Sequence, residues 1–418
     1  MDPGTTKRLA NEFIDVEAAL AHVYPEVRTR YCDQDLLVYA LGVGAGGDER
    51  DLRFVFEKHP EFAALPTFVV APALSVALAN EFKGERSPGL NYGFDRILHA
   101  VQSTELRKPL PRAATLRHQA KVKAVYDSRK YAIVVTQVRT CDEAGEELAV
   151  NEFTLTVRGA GSFGGEPAPS GDVNVPPSRP PDAVIEQQTR EDQALLYRLT
   201  GDRNPLHVDP VFAHDFGLPK PILHGLCTYG FAARHVLRAM AGDDARNFKS
   251  IRVKFASPVF PGETLVTEMW QEAPARIVFQ TTAKERGKVV LSNAAVELFN
   301  PVVRPAAAEP KPARPEAPGA AAVQRLAVDE GLVARVGAVV QLRVQEPASD
   351  WVLDLKAGAG AVRPGIAADA DLTLHMSDAD LAAWMAGTSL KELVTAGRIR
   401  LVSGDGRVIQ RASAALGR

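Results

Sequence analysis

Two apolar helical stretches, each followed by runs of alternating apolar and polar residues, organise the larger part of the sequence. In residues 72–82 and 225–240, apolar side chains recur at three- and four-residue spacing, which is typical of helices. The strand-like runs alternate with a period of two and span residues 129–140, 151–159, 250–256, 263–272, 276–285 and 289–299. A long helix followed by antiparallel strands, twice over, predicts an α+β unit in which a sheet wraps around a helix.

The two halves of this region repeat each other. The segment 33–37 recurs 159 residues later as 192–196, with Asp, Gln, Leu and Leu at the same places. The same offset places Gly42 on Gly201, and the matches occur in the same order in both halves. Because a chance similarity between two helices would not preserve this order, the sequence predicts two copies of one fold within one chain.

Changes in composition divide the chain further. Gly, Pro and Ser are concentrated at 159–181, which we predict to be a loop that crosses between a first half, 1–158, and a second half, 182–301. Pro, Ala and charged residues make up nearly all of 302–322, so we predict an extended spacer there. The remaining residues, 323–418, are predicted to form a separate small α/β domain.

Composition narrows the class of protein. The 418 residues are 46% hydrophobic and 24% charged with a net charge of −2, which is typical of a globular protein without overall attraction to nucleic acid. No apolar stretch is long enough to predict an integral membrane protein. The three cysteines are widely spaced, the chain does not end in a peroxisomal Ser-Lys-Leu type signal, and Ala, Arg and Pro are abundant. From these features we expect a cytoplasmic, bacterial protein.

Candidate acid–base chemistry lies in one short segment. Asp202 and His207 are five residues apart, with Asn204 and a proline between them. Proline disfavours helix in the residue before it, so the segment should be an irregular loop that leads into a new helix. An isolated Asp–His pair is more often a helix cap or a surface hydrogen bond. Together with an amide, however, two groups that exchange protons can surround one water molecule and add it across a polarised double bond.

A second chemical requirement is met where the helix 225–240 begins at Gly225. Backbone N–H groups are unpaired at a helix N-terminus, and glycine lets a ligand approach them closely. We therefore expect the Gly225 N–H to bind a thioester oxygen on which negative charge develops. In the first half, the positions of Asp202 and Gly225 hold Val43 and Pro72, and proline has no N–H to donate. The first half is therefore predicted to be non-catalytic.

The run 199–207, Leu-Thr-Gly-Asp-Arg-Asn-Pro-Leu-His, resembles the signature of the MaoC-like hydratases, an (R)-specific family with the hotdog fold. Further segments are similar to the double-hotdog hydratase 2 unit of peroxisomal multifunctional enzymes, at 39–46, 65–70, 108–116, 179–184 and 220–231. The resemblance covers essentially all of 1–301. It implies a double hotdog that reversibly adds water to trans-2-enoyl-CoA, giving (3R)-3-hydroxyacyl-CoA, in fatty acid or steroid side-chain β-oxidation.

The resemblance also implies roles for particular residues. Asp202 and His207 would hold and deprotonate the water, and Asn204 would support them. The Gly225 N–H would bind the thioester oxygen, and the first half would make room for a bulky acyl chain. No metal or redox cofactor is expected, because the thioester supplies the acidity and CoA is part of the acyl-CoA substrate. A homodimer is expected because homodimers are common in the family.

Two further residues are candidates for contact with the substrate. His224, which precedes Gly225, either contacts the substrate or has a structural role in the turn. Lys108 either binds a CoA phosphate or is a solvated surface residue. One departure from the family concerns residues 99–102. These read His-Ala-Val-Gln where such enzymes commonly have His-Gly-Glu-Gln, and we expect this change to affect the acyl pocket rather than the chemistry.

The pattern of residues 369–405 resembles the sterol carrier protein 2 family, whose members hold a lipid or acyl ligand in an apolar tunnel. Ser377 and Asp380 are spaced as a helix cap. Met376, Trp384 and Met385 would either line such a tunnel or form an ordinary core. No catalytic constellation is visible in this unit.

Two alternative functions remain at this stage. One is a hotdog acyl-CoA thioesterase, in which water attacks the carbonyl carbon; the presence of Asn204 and His207 beside Asp202 argues against it. The other is a non-catalytic acyl or sterol carrier; the intact set of acid–base residues argues against it.

Overall fold

The computed structural model of the protein describes residues 9–169, 173–302, 318–345, 349–367 and 369–416. Contacts divide the chain into two units, residues 1–304 and 305–418. Most of the predicted spacer, 302–322, lies outside the described residues. Its described end is a helix rather than an extended segment, because the carboxylate of Asp378 accepts hydrogen bonds from the first backbone N–H groups there.

The larger unit is built on one antiparallel sheet of ten strands. They are β1 (Val27–Tyr31), β2 (Ile97–Leu106), β3 (Ala114–Ser128), β4 (Tyr131–Cys141), β5 (Glu147–Arg158), β6 (Ala183–Gln188), β7 (Phe248–Phe255), β8 (Thr264–Ala273), β9 (Arg276–Ala283) and β10 (Lys288–Leu298). Their spatial order is β1-β3-β4-β5-β2-β7-β10-β9-β8-β6, so the last five strands mirror the first five. The halves meet where β2 pairs with β7, and both the duplication predicted from the repeat and the double hotdog implied by the resemblance are confirmed.

Eight α-helices accompany this sheet in the described residues. They are α1 (Val16–Ala21), α2 (Asp33–Gly42), α3 (Leu52–Val55), α4 (Val70–Ala77), α5 (Ala79–Phe82), α6 (Gln193–Tyr197), α7 (Pro210–Asp215) and α8 (Gly225–Met240). The sheet wraps α8, which is buried on nearly all sides. The single helix predicted at 72–82 is instead two helices, α4 and α5, because Leu78 leaves the helical conformation with φ −116° and ψ 26°.

A buried ion pair joins the two halves. Arg234 of α8 donates to both carboxylate oxygens of Asp51 at 2.9 Å, and both side chains are almost completely buried. Arg234 also donates to the backbone oxygen of Val43. Val43 occupies the position that corresponds to Asp202 in the second half, and Asp51 follows it by eight residues. In the first half this segment is therefore packed against α8.

The smaller unit has a five-stranded sheet and five α-helices in its described residues. The strands are β11 (Ala338–Gln345), β12 (Ser349–Leu355), β13 (Ala361–Pro364), β14 (Leu372–Ser377) and β15 (Ile399–Gly404), in the order β13-β12-β11-β14-β15. Only β11 and β14 are parallel. The helices are α9 (Pro318–Gln324), α10 (Glu330–Val336), α11 (Asp378–Met385), α12 (Leu390–Thr395) and α13 (Gly406–Leu416).

Packing in the smaller unit confirms one sequence expectation and bears on a second. The Ser377 hydroxyl accepts the Asp380 N–H at 3.1 Å and caps α11, as predicted. Met376 and Trp384 are buried in the core cluster, against which Met385 packs. In the described part of the chain, no helix is long and apolar enough to cross a membrane.

Candidate active site

The loop that carries the predicted acid–base residues is held by its own side chains. Gly201, with φ 120°, reverses the chain after the short 3-10 helix Arg198–Thr200, a conformation that favours glycine. The Asp202 carboxylate then accepts the Asn204 N–H at 3.2 Å. The Asn204 side chain in turn accepts the Leu206 N–H at 3.0 Å and caps the 3-10 helix Pro205–His207. The helix expected after the loop is α7.

The hydrogen bond of His207 determines which ring nitrogen carries the proton. Its Nδ1 lies 2.9 Å from the backbone oxygen of Ile222. A carbonyl oxygen only accepts, so Nδ1 carries the proton and Nε2 is left as the proton acceptor of the neutral ring. His207 lines the same cavity as Asp202 and Asn204. The structure therefore brings the three predicted residues together at one surface.

Burial moves the pKa values of the two titratable groups toward each other. It raises the pKa of Asp202, and the nearby His207 charge opposes that rise only in part. It lowers the pKa of His207, and Asp202 opposes that change. Groups whose pKa values approach each other exchange a proton at a lower free-energy cost, which suits them to acid–base work.

These residues stand at the wall of a largely apolar cavity of about 480 Å³. The second half also contributes Gly225 and Phe255 to its lining. From the first half come Leu74, Leu78, Phe94, Ile97, Leu98 and His99. His99 belongs to the segment 99–102 that the sequence indicated for the acyl pocket. The apolar residues were not assigned individually, because an apolar side chain at a cavity wall follows the same periodicity as one in a core.

Gly225 is the first residue of α8, as predicted. Among the residues that the structure describes, no group accepts a hydrogen bond from its N–H. A methyl group at this position would lie 3.0 Å from the Phe255 ring, so glycine keeps the helix start accessible beside that ring. An unpaired N–H at the N-terminus of a sixteen-residue helix can stabilise negative charge on a bound oxygen.

His224 and Lys108, the two residues predicted as tentative substrate contacts, do not line the cavity. His224 is fully buried and is not part of the cavity wall. Lys108 pairs with Glu146 and, at 3.5 Å, with Asp142, and it does not line the cavity. His224 is therefore not placed to touch an acyl chain in this cavity, and contact of Lys108 with a CoA phosphate stays a prediction.

Asp202, His207 and His224 offer potential metal-ligand atoms within 4.8 Å of one another. The two imidazole rings, however, are stacked with centroids 3.7 Å apart and an interplanar angle of 28°. Lone pairs of imidazole nitrogens lie in the ring plane, so those of stacked rings run side by side rather than converging on one ion. The donor set therefore fits proton transfer better than metal binding.

Fold and site together define a MaoC-like double hotdog, and comparison with known families agrees. Residues 172–294 match the MaoC like domain, residues 30–159 match the MFE-2 hydratase 2 N-terminal domain, and residues 321–417 match the SCP-2 sterol transfer family.

Several known proteins are similar to this chain. Peroxisomal multifunctional enzyme type 2 of Mus musculus is 42% identical over 377 residues, which cover 87% of this chain and 50% of the mouse protein. Peroxisomal enoyl-CoA hydratase 2 of Arabidopsis thaliana is 41% identical over 65% of this chain and 92% of its own length. The crystal structure of a MaoC-like dehydratase from Phytophthora capsici is 35% identical, with a TM-score of 0.60, over 68% of this chain and 99% of that chain.

The chain belongs to the MaoC-like hydratase 2 family and carries an SCP-2 domain after its double hotdog. It spans about half the length of the mouse enzyme. The expectation of a bacterial cytoplasmic protein is contradicted, because the relatives from mouse, fly, Arabidopsis and Neurospora crassa are named as peroxisomal. That expectation rested on composition and on the last residues of the sequence, neither of which identifies a compartment by itself.

Proposed function

We propose that the chain is an (R)-specific 2-enoyl-CoA hydratase, which reversibly adds water to trans-2-enoyl-CoA and gives (3R)-3-hydroxyacyl-CoA in β-oxidation. The observation that carries the proposal is the convergence of Asp202, Asn204, His207 and Gly225 on one apolar cavity. Such a cavity suits an acyl chain, and its polar end suits a thioester and a water molecule. Family membership supports the same reaction.

In this proposal, one water molecule lies between the Asp202 carboxyl group and the Nε2 of His207. As the water oxygen bonds to C3 of the substrate, this pair of groups accepts one proton of the water, and the pair then delivers that proton to C2, which restores both groups to their starting state. The electron pair of the C2–C3 double bond moves first toward the thioester oxygen and then into the new C2–H bond. Atoms and charge balance without an oxidant or reductant.

The remaining polar groups act on charge and position. The Gly225 N–H donates to the thioester oxygen while it carries negative charge, at the positive end of the α8 dipole. The Asn204 side chain holds the loop on which both acid–base groups are mounted. The first half supplies apolar wall rather than a second site, because Val43, at the position equivalent to Asp202, is packed against α8 through Arg234.

The test follows loss of the conjugated enoyl-thioester absorbance for the full chain and for Asp202→Asn. We expect the substitution to lower kcat by roughly 10²–10⁴-fold, because it removes one of two groups that move protons. Asp192→Asn is the matched control: Asp192 is exposed and forms only a surface ion pair with Arg190, so activity should not change. Equal activity of Asp202→Asn and the unmodified chain would contradict the assignment.

The products of the same assay separate the alternatives. Release of free CoA without hydration would identify a thioesterase. Tight binding of acyl ligands without any turnover would identify a carrier.

For the smaller unit, the SCP-2 match supports binding of a lipid or acyl ligand, which we include in the proposal. The absence of a metal or redox cofactor and the homodimer remain predictions.

A further inference from the structure

His224 contacts three parts of the site at once. Its ring stacks on the ring of His207, with centroids 3.7 Å apart. Its Nε2 lies 3.2 Å from the backbone oxygen of Asp202. Its own carbonyl oxygen accepts the N–H groups of Cys227 and Thr228, at the start of the helix that carries the oxyanion donor.

These contacts fix the protonation state of the ring. The Asp202 carbonyl oxygen only accepts, so Nε2 of His224 carries the proton and Nδ1 is left with a lone pair. Among the described residues Nδ1 is buried and has no hydrogen-bond partner. Tyr197 packs against the ring, with centroids 4.9 Å apart. Burial also holds the pKa of His224 well below its usual value, so the ring is neutral.

We propose that His224 is a positioning residue, which holds the His207 ring and the Asp202 loop in the arrangement that proton transfer requires and does not touch the substrate. The stack sets the plane of the His207 ring, and the bond to the Asp202 carbonyl sets the path of the loop. The proposal rests on the function proposed above. It replaces the earlier expectation of a substrate contact at His224.

The magnitude expected from such a role follows from geometry. A displacement of about 1 Å in a catalytic group can cost roughly 10²-fold in rate. Removing the His224 ring takes away the stacking contact of His207 and one hydrogen bond of the Asp202 loop together. We therefore expect a fall in kcat of about that size with little change in KM, because the substrate's own contacts remain.

The experiment compares three substitutions in the full chain. His224→Ala removes both contacts, His224→Phe keeps an aromatic stack, and His224→Gln keeps an N–H donor. His235→Ala is the matched control, because His235 is another buried histidine, inside α8, that bonds Thr267 and Gln187 instead of the site. We expect kcat to fall most for His224→Ala, less for the other two, and not for His235→Ala at equal folded fraction.

A second readout does not depend on activity. NMR of chains with ¹⁵N-labelled histidine follows the titration and tautomer of His207, whose charged and titratable neighbours are Asp202, Arg198 and His224. His224→Ala admits water beside a ring whose pKa is lowered mainly by burial, so the pKa of His207 should rise toward its usual value. His224→Phe keeps the ring buried and should leave it nearly unchanged.

Three results would overturn the proposal: unchanged kcat in His224→Ala, a rise in KM with kcat unchanged, or no difference between the His207 titrations of the Ala and Phe variants. Should His224→Ala fail to fold, the Phe and Gln variants decide by the same criteria. Failure of the unmodified chain to hydrate any enoyl-CoA would refute the proposed function instead. The His207 titration would then still test the positioning role.

Discussion

Replacement of Gly225 by proline removes the N–H that we propose binds the thioester oxygen and leaves the helix start intact. Gly225 is the first residue of α8, a position where proline is tolerated because its N–H has no partner within the helix. The preceding residue, His224, has φ −56° and ψ 133°, the extended conformation that proline requires of its predecessor. The backbone is therefore compatible with the substitution.

The size of the effect depends on separating a steric cost from the loss of the donor. A Cβ atom at position 225 would lie 3.0 and 3.1 Å from two carbons of the Phe255 ring, so the ring must shift by a few tenths of an ångström. Gly225→Ala carries this overpacking cost, about 1–3 kcal/mol of stability, and keeps the N–H. The proline variant has the same Cβ but no N–H, and a ring CH₂ takes the place of the hydrogen that faces the bound oxygen. The difference between the two should be about 2.7–4 kcal/mol of transition-state stabilisation, or roughly 10²–10³-fold in kcat.

The assay measures hydration of one enoyl-CoA by the unmodified chain, Gly225→Ala and Gly225→Pro, with the folded fraction of each taken from thermal unfolding. We expect the proline variant to be slower than the alanine variant by that factor. Equal kcat for the two variants would refute the oxyanion role of the Gly225 N–H, whatever their activity relative to the unmodified chain.

Three further predictions concern substrate range, stability and pH. Leu78→Trp fills the first-half wall of the cavity, so turnover of long-chain enoyl-CoAs should fall while that of crotonyl-CoA persists; equal losses for both would contradict this role. Asp51→Ala leaves the Arg234 charge buried without its partner and should lower the free energy of unfolding by about 3–5 kcal/mol in urea unfolding, whereas Asp192→Ala, at an exposed pair, should have a much smaller effect. Burial lowers the pKa of His118 to about 4, below its value of 6.5 in the unfolded chain, so its contribution to stability is present above pH 6.5 and is lost as the pH falls toward 4. His118→Gln should make unfolding less dependent on pH in that window, and an unchanged dependence would contradict the assignment.

The repeat and the catalytic loop could be predicted because their signals are local. Glycine at 201 and the Asn-Pro pair at 204–205 dictate a turn and a short helix regardless of what packs against them. Four of the five strands of the second half, β7 to β10, were predicted nearly as they occur, whereas β6 was not predicted. In the first half, β3 was missed because His118, a polar residue, lies on its buried side, where Thr29 and Thr140 satisfy its ring. That compensation comes from distant strands and leaves no local pattern.

Other features depend on tertiary packing and could not be read from the sequence. The repeat paired Gly225 of the second half with Pro72 of the first half. In the structure, however, Pro72 is the third residue of α4, whereas Gly225 is the first residue of α8. The break between α4 and α5 at Leu78 could not be predicted, because Leu78 is neither proline nor glycine. The contacts of His224 join residues that are far apart in sequence, so its place behind the site could be found only in the folded chain.

The handedness of the product tests the central claim most directly. The full chain is incubated with trans-2-enoyl-CoA, and the product is offered separately to a dehydrogenase specific for 3R-hydroxyacyl-CoA and to one specific for the 3S form. The account predicts that only the 3R-specific enzyme oxidises the product. Oxidation by the 3S-specific enzyme, or absence of any hydroxyacyl-CoA, would contradict it.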